Sequence, residues 1–255
     1  MLINSFKDKK ILITGASKGL GLEIAKTFEK DGAQLILIAR SKELLDKLSN
    51  NFNDKKKHLV YAKDLLEEKN LEYVLNDIED KLSNLDIIIH CLGGSFGIND
   101  PLDTWKNFER SLRGNLGVSV DINKKFIPKM QMNKRGNIIH ISSIVSQQAS
   151  GSPFYCSSKA ALSAYVRTIG NYLVKTNIYL SGIVPGFFTG ENNSAERFKF
   201  YKPDEYKKFV SELPQKEAPQ ASEYIDLIKI LSGNNARIFA GSLITADSGY
   251  GISIR

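Results

Sequence analysis

Short, β-branched apolar runs alternate with stretches of helical periodicity along most of this chain, and that alternation limits the fold more than any other feature. Ile11–Ile13, Gln34–Ala39, His58–Ala62, Asp86–Ile89, Ile138–Ile141, Ile178–Val184 and Ser242–Ala246 read as strands. Leu20–Lys30, Lys42–Leu48, Asn70–Lys81, Thr104–Met130, Tyr155–Lys175 and Ser222–Leu231 read as the helices between them. A continuous apolar run suits a strand covered on both faces, and a helix after each strand returns the chain to lie parallel to its neighbour. Such units take right-handed crossovers, so the pattern predicts an α/β fold, a Rossmann-like doubly wound parallel sheet with helices on both faces. The 255 residues are expected to form one such domain, 1–255, with no internal repeat or low-complexity linker.

The alternation breaks between Phe187 and Gln220. Phe187, Phe188, Phe198, Phe200 and Tyr201 would cover an apolar part of a substrate if the segment 187–220 is a mobile lid, and Lys199, Lys202, Lys207 and Lys208 would attract an anionic one. A surface helix pair that packs the aromatics inward explains the same residues equally well.

Charge and cysteine content narrow the setting. A net charge of +7 favours anionic ligands, but the basic residues are scattered and the run Lys55–Lys57 reads as a solvated loop, so no nucleic-acid partner is expected. Cys91 and Cys156 match neither zinc spacing nor a disulfide framework, and no metal site is expected. The N-terminal residues lack a signal-peptide pattern, and no run reaches the roughly 20 apolar residues of a membrane span. The expectation is a soluble, cytoplasmic protein without a membrane partner.

Between the first strand and first helix stands Thr14-Gly15-Ala16-Ser17-Lys18-Gly19-Leu20-Gly21. Glycines here permit a tight turn and close backbone approach to a phosphate, and the following helix offers free N–H groups and partial positive charge. The spacing is neither Gly-x-Gly-x-x-Gly nor a P-loop ending in Lys-Ser/Thr. Further along, Tyr155 and Lys159 are one helical turn apart and share a face. A phenolate at neutral pH needs a nearby cation, because a free tyrosine titrates near about 10. Lys159 meets that need, so the pair suits proton exchange with a carbonyl or alcohol oxygen.

Together these motifs resemble the short-chain dehydrogenase/reductase family, whose cofactor turn is Thr-Gly-x-x-x-Gly-x-Gly. The resemblance runs through nearly the whole chain and includes members that act as 3-oxoacyl-acyl-carrier-protein reductases. It implies a catalytic set of Asn115, Ser143, Tyr155 and Lys159, with Ser143 holding the substrate oxygen and Asn115 a water that joins Lys159 to solvent. It implies cofactor contacts from Gly15, Ser17, Lys18, Gly19, Leu20 and Gly21, from Arg40, from Asp64 and Leu65 beside the adenine, and from Leu92 and Gly93. Tyr155 and Lys159 join that set, with Pro185, Gly186 and Thr189 beside the nicotinamide. Asp247-Ser248-Gly249 resembles the family's C-terminal Asp-Gly-Gly.

The cofactor expected is NADP(H). NAD-preferring sites usually carry an acid at the end of the second strand, where this chain has Ala39, followed by Arg40; Lys18 stands in the phosphate turn. In the resembling family, bases at those two places hold the 2′-phosphate. The activity implied is interconversion of a ketone and a secondary alcohol, on a 3-oxoacyl thioester or a sugar or polyketide carbonyl. The resemblance also implies a homodimer or homotetramer, packed through the helices around Asn115 and Tyr155. A non-catalytic NADP(H)-binding sensor is the competing class, and retention of all four catalytic positions argues against it.

His90-Cys91-Leu92-Gly93 replaces the family's usual Asn-Asn-Ala-Gly, and His140 stands where an asparagine is common. Both histidines are expected to be hydrogen-bonded structural residues, and Cys156 a packing residue.

Overall fold

The computed structural model describes residues 6–148 and 150–252. The chain runs β1 (Lys10–Thr14), α1 (Gly19–Lys30), β2 (Gln34–Ala39), α2 (Lys42–Ser49), β3 (Leu59–Ala62), α3 (Glu68–Lys81) and β4 (Ile87–His90). It continues through α4 (Trp105–Leu112), α5 (Val118–Met132), β5 (Gly136–Ile141), α6 (Pro153–Leu173) and β6 (Ile178–Pro185). Last come α7 (Ser194–Tyr201), α8 (Pro203–Glu212), α9 (Ile225–Ser232) and β7 (Leu243–Ala246). All seven strands join one parallel sheet in the order β3-β2-β1-β4-β5-β6-β7. The predicted doubly wound Rossmann-like architecture is present.

Strand alternation divides the core between the two faces. Ile11, Ile13, Leu35, Leu37, Ile87 and Ile89 pack with Phe28 of α1, Leu45 of α2 and Ile228 of α9. Leu12, Ile36, Ile88 and Ile138 pack on the other face with Ile78 of α3, Ile122 and Phe126 of α5, and Val166 of α6. Because β1 leads to β2 on one side and neighbours β4 on the other, the chain reverses direction across the sheet there. A crevice opens at the carboxyl ends of the strands at such a switch point.

Three local departures from the sequence pattern matter. Asp86 stays outside β4: its carboxylate accepts the Lys10 N–H at 2.9 Å and pairs with Arg135, fixing the entry of β4 beside β1. The helical stretch expected over Thr104–Met130 is interrupted by a π turn at Arg113–Gly117 between α4 and α5. The 187–220 segment contains α7 and α8, with Phe187 and Phe198 packed among Tyr206 and Phe209. Phe200 and Tyr201 face outward.

Candidate active site

A cleft of about 960 Å³ lies over the carboxyl ends of β1, β2, β4, β5 and β6. Its floor is the glycine turn. Gly15 has φ +68°, and a Cβ there would sit 2.9 Å from the Cys91 carbonyl. Gly21 is tighter still, since a Cβ would come within 2.4 Å of the Gly15 oxygen. Helix α1 therefore begins hard against the turn, and no side chain caps it, which leaves its first-turn N–H groups without a side-chain acceptor. These are the features a dinucleotide pyrophosphate requires of its cradle. Gly21→Ala is expected to lower stability by about 1–3 kcal/mol through overpacking and to weaken dinucleotide binding, read by thermal melting with and without cofactor.

At the far end of the cleft, Arg40 follows β2 and is 60% exposed. Its Nη1 lies 3.9 Å from the Asp64 carboxylate, which also accepts the Leu66 N–H at 3.1 Å. Ser17, Lys18, Gly19, Leu20, Leu65 and Leu92 line the same cleft, and the Leu92 N–H donates to Thr14 Oγ1 at 3.1 Å.

The reactive end is built by β5 and α6. Ser143 follows β5 and receives the Val145 N–H at 3.4 Å, and its hydroxyl is near enough to Tyr155 to favour the phenolate. Pro153 at the first position of α6 starts that helix just before Tyr155. One turn later Lys159 is almost fully buried, and its Nζ donates to the Ile141 carbonyl at 2.7 Å. Burial pushes Lys159 down to about 8, partly offset by Cys91. Burial also raises the Tyr155 phenol, and Ser143 only partly counters this. The Lys159 Nζ lies 6.0 Å from the Tyr155 ring centroid. The free site thus holds a protonated phenol.

Asn115 lies in the π turn and is buried behind Gly93, where a Cβ would meet Asn115 Oδ1 at 2.8 Å and Lys159 Nζ at 3.0 Å. Its amide accepts the Gly94 N–H at 2.9 Å and donates to the Gly94 and Ser111 carbonyls at 3.0 and 2.9 Å. It is therefore close to Lys159 but not in the cleft wall. Thr189 is also outside that wall: its backbone bridges Gln220, and its hydroxyl donates to the Pro219 carbonyl at 3.3 Å. Pro185 and Gly186 do line the cleft.

Sequence reasoning missed much of the wall, including Phe96, Arg110, Asn193 and Arg197. Asn193 packs over Gly19 and caps α7 by accepting the Glu196 N–H at 2.9 Å. The Asn-Ser-Ala-Glu sequence there carries a helix-start signal that would have found the cap. Burial pushes the Cys91 thiol up to about 12, which disfavours the nucleophilic thiolate. The Cys156 thiol donates to the Ser150 carbonyl at 3.1 Å, in line with a packing role.

A model of the short chain dehydrogenase family matches residues 9–199, which includes the glycine turn, Ser143, Tyr155, Lys159 and the Pro185-Gly186 turn. The chain belongs to the short-chain dehydrogenase family. Among relatives, a fatty acyl-CoA reductase from Acinetobacter baylyi is 32% identical over 181 residues, which is 69% of this chain and 61% of that protein. The chain thus spans less than two thirds of that relative. The 3-oxoacyl-acyl-carrier-protein reductase FabG of Rickettsia prowazekii is 28% identical over 94% of this chain and 96% of its own. The L-sorbose reductase of Gluconobacter frateurii, solved with NADPH and L-sorbose, superposes with a TM-score of 0.86 at 23% identity, covering 98% of this chain and 99% of that one. That likeness is one of fold. This short-chain dehydrogenase also has no helix among the described residues long and apolar enough to cross a membrane, and no metal-binding cluster of His, Cys, Asp or Glu among them.

Proposed function

We propose that the protein is an NADP(H)-dependent oxidoreductase that interconverts a ketone and a secondary alcohol. The observation that carries this reading is the convergence, in one cleft, of a phosphate-sized glycine turn with Ser143, Tyr155 and the buried Lys159. Bound NADPH would supply a hydride to the carbonyl carbon. Ser143 holds the carbonyl oxygen, Tyr155 donates a proton to it, and Lys159 provides the positive charge that supports loss of that proton. Asn115 positions Gly93 and Gly94 behind Lys159, and its amide is already committed to backbone partners. A sensor without catalysis has no use for this set. The cleft wall also offers Arg110 and Arg197 beside Phe96 and Phe187, which favours a carbonyl substrate with an apolar part and an anionic group. An oxoacyl thioester, with its acyl chain and phosphate-bearing carrier, has that character.

Preference for NADP(H) follows from the end of β2. Ala39 presents no carboxylate to the adenine ribose, and Arg40 and the exposed Lys18 stand in the cleft wall. Arg40 does face Asp64 at 3.9 Å, but an exposed pair at that distance is worth about 0–1 kcal/mol, so a phosphate displaces it at little cost. A planar guanidinium then makes two charge-assisted bonds to phosphate oxygens. Arg40→Ala is expected to weaken NADPH binding about 10- to 100-fold while hardly changing NADH binding, measured by fluorescence titration. Equal affinities of the parent protein for NADH and NADPH overturn the cofactor assignment, and no cofactor oxidation with oxoacyl, sugar or steroid carbonyls overturns the activity.

A further inference from the structure

His90 and His140 are neighbours in the β4–β5 register, with Thr14 on the other side of His90. Both are buried, and their rings stack with centroids 4.4 Å apart and planes 26° from parallel. Asn123 of α5 reaches both: its Oδ1 is 3.0 Å from His90 Nε2 and its Nδ2 is 3.3 Å from His140 Nε2. The same Nδ2 donates to the Tyr165 hydroxyl on α6 at 3.2 Å.

One amide cannot serve two imidazole nitrogens in the same way. Its oxygen only accepts, so His90 Nε2 carries the hydrogen; its NH2 only donates, so His140 Nε2 is bare. In neutral rings this leaves His90 Nδ1 bare and puts a hydrogen on His140 Nδ1. Turning the amide over exchanges the two rings, but their tautomers remain opposite. The rings are neutral because burial holds His90 down at about 4 and His140 well below the ordinary range, where Lys159 also disfavours a second positive charge.

Neither Nδ1 has a hydrogen-bond partner in the protein among the described residues. Against both rings lies a cavity of about 10 Å³, bounded also by Thr14, Asn115 and Ser119, which is the size of one water. A water accepts from one Nδ1–H and donates to the other Nδ1, satisfying two buried groups at once. We propose that His90, Asn123, His140 and one buried water form a positioning unit that sets the geometry of Gly93, Asn115 and Lys159. His90 leads directly into the turn of Gly93 and Gly94 that Asn115 holds. His140 precedes Ile141, whose carbonyl receives Lys159 Nζ. Tyr165 is on the same helix as Lys159, and Asn123 on the helix that continues the π turn. Each segment that builds the reactive end is thus tied to this one amide. The inference rests on Lys159 and Asn115 serving the proposed reaction.

Histidine ¹⁵N shifts of the free protein test the chemistry without any activity. His58 is an internal reference, because its Nδ1 accepts the Leu35 N–H at 3.0 Å and its hydrogen must be on Nε2. Between about pH 6 and 8, His90 and His140 are expected to be neutral and in opposite tautomers. The same tautomer in both, or an imidazolium in either, overturns the unit, as does a high-resolution crystal structure with a dry cavity. His140→Phe keeps the stack and loses both nitrogens. It is expected to lower kcat about tenfold with cofactor Kd within about threefold, and His140→Gln to restore most of the turnover. Asn123→Asp is the second variant: with no N–H to donate, it puts both rings in the Nε2–H state and lowers kcat similarly. Parent-like kcat in these variants overturns the positioning role while leaving the oxidoreductase reading intact; no turnover in the parent overturns that reading and leaves the tautomers standing.

Discussion

Replacing Tyr155 by phenylalanine is expected to slow hydride transfer at least about a thousandfold while cofactor affinity stays within about threefold. The ring still fills its place in α6, so the cleft keeps its shape. What is lost is the phenolic hydroxyl that shares the cleft with Ser143 and Lys159. Burial raises this phenol in the free protein, so the site starts in the state that donates a proton, which suits carbonyl reduction. In the opposite direction the phenol must first lose its proton, and oxidation by the parent is expected to need higher pH than reduction. Single-turnover measurement of NADPH oxidation with an accepted carbonyl separates binding from chemistry. A Tyr155→Phe protein that keeps a tenth of the parent's rate would remove the phenol from the mechanism.

The fold and the meeting of Ser143, Tyr155 and Lys159 in one cleft were legible because their signals are local. Ile11–Ile13 followed by glycines, or Tyr155 and Lys159 one turn apart, can be read in a few residues. What was illegible depends on register or on backbone detail. The pairing of His90 with His140 exists only because β4 and β5 align them across the sheet. The π turn was hidden because apolar periodicity reads straight through Thr104–Met130, yet it is the side chain of Asn115, bonded to the Ser111 carbonyl, that stabilises this break in the ladder. Thr189 matched a motif by position, but its backbone bridge to Gln220 has no local signal. Arg110 and Arg197 come from separate helices with no shared motif, so their meeting at one cleft is purely tertiary.

Lys159→Met is expected to abolish turnover, by about a thousandfold, and yet to make the free protein slightly more stable at pH 7. Lys159 titrates ordinarily at 10.5 and in the fold at about 8, so burying its ammonium costs about 3 kcal/mol at neutral pH. Below about pH 8 the group is charged in both folded and unfolded chains and the full cost is present. Between about 8 and 10.5 the unfolded chain holds the proton and the folded one does not, so the parent gains stability as pH rises through that window. Methionine removes the charge but also the 2.7 Å bond to the Ile141 carbonyl, and stranding that acceptor costs about 1–3 kcal/mol. The charge term is the larger at pH 7, leaving the variant ahead by about 1 kcal/mol. Near pH 10 that term has fallen to about 1 kcal/mol, the lost hydrogen bond outweighs it, and the order reverses. Urea unfolding of both proteins at the two pH values reads the crossing directly. A variant less stable than the parent at pH 7 would mean that the ammonium is not held at a cost, and that the cleft stores no electrostatic strain for Tyr155 to use.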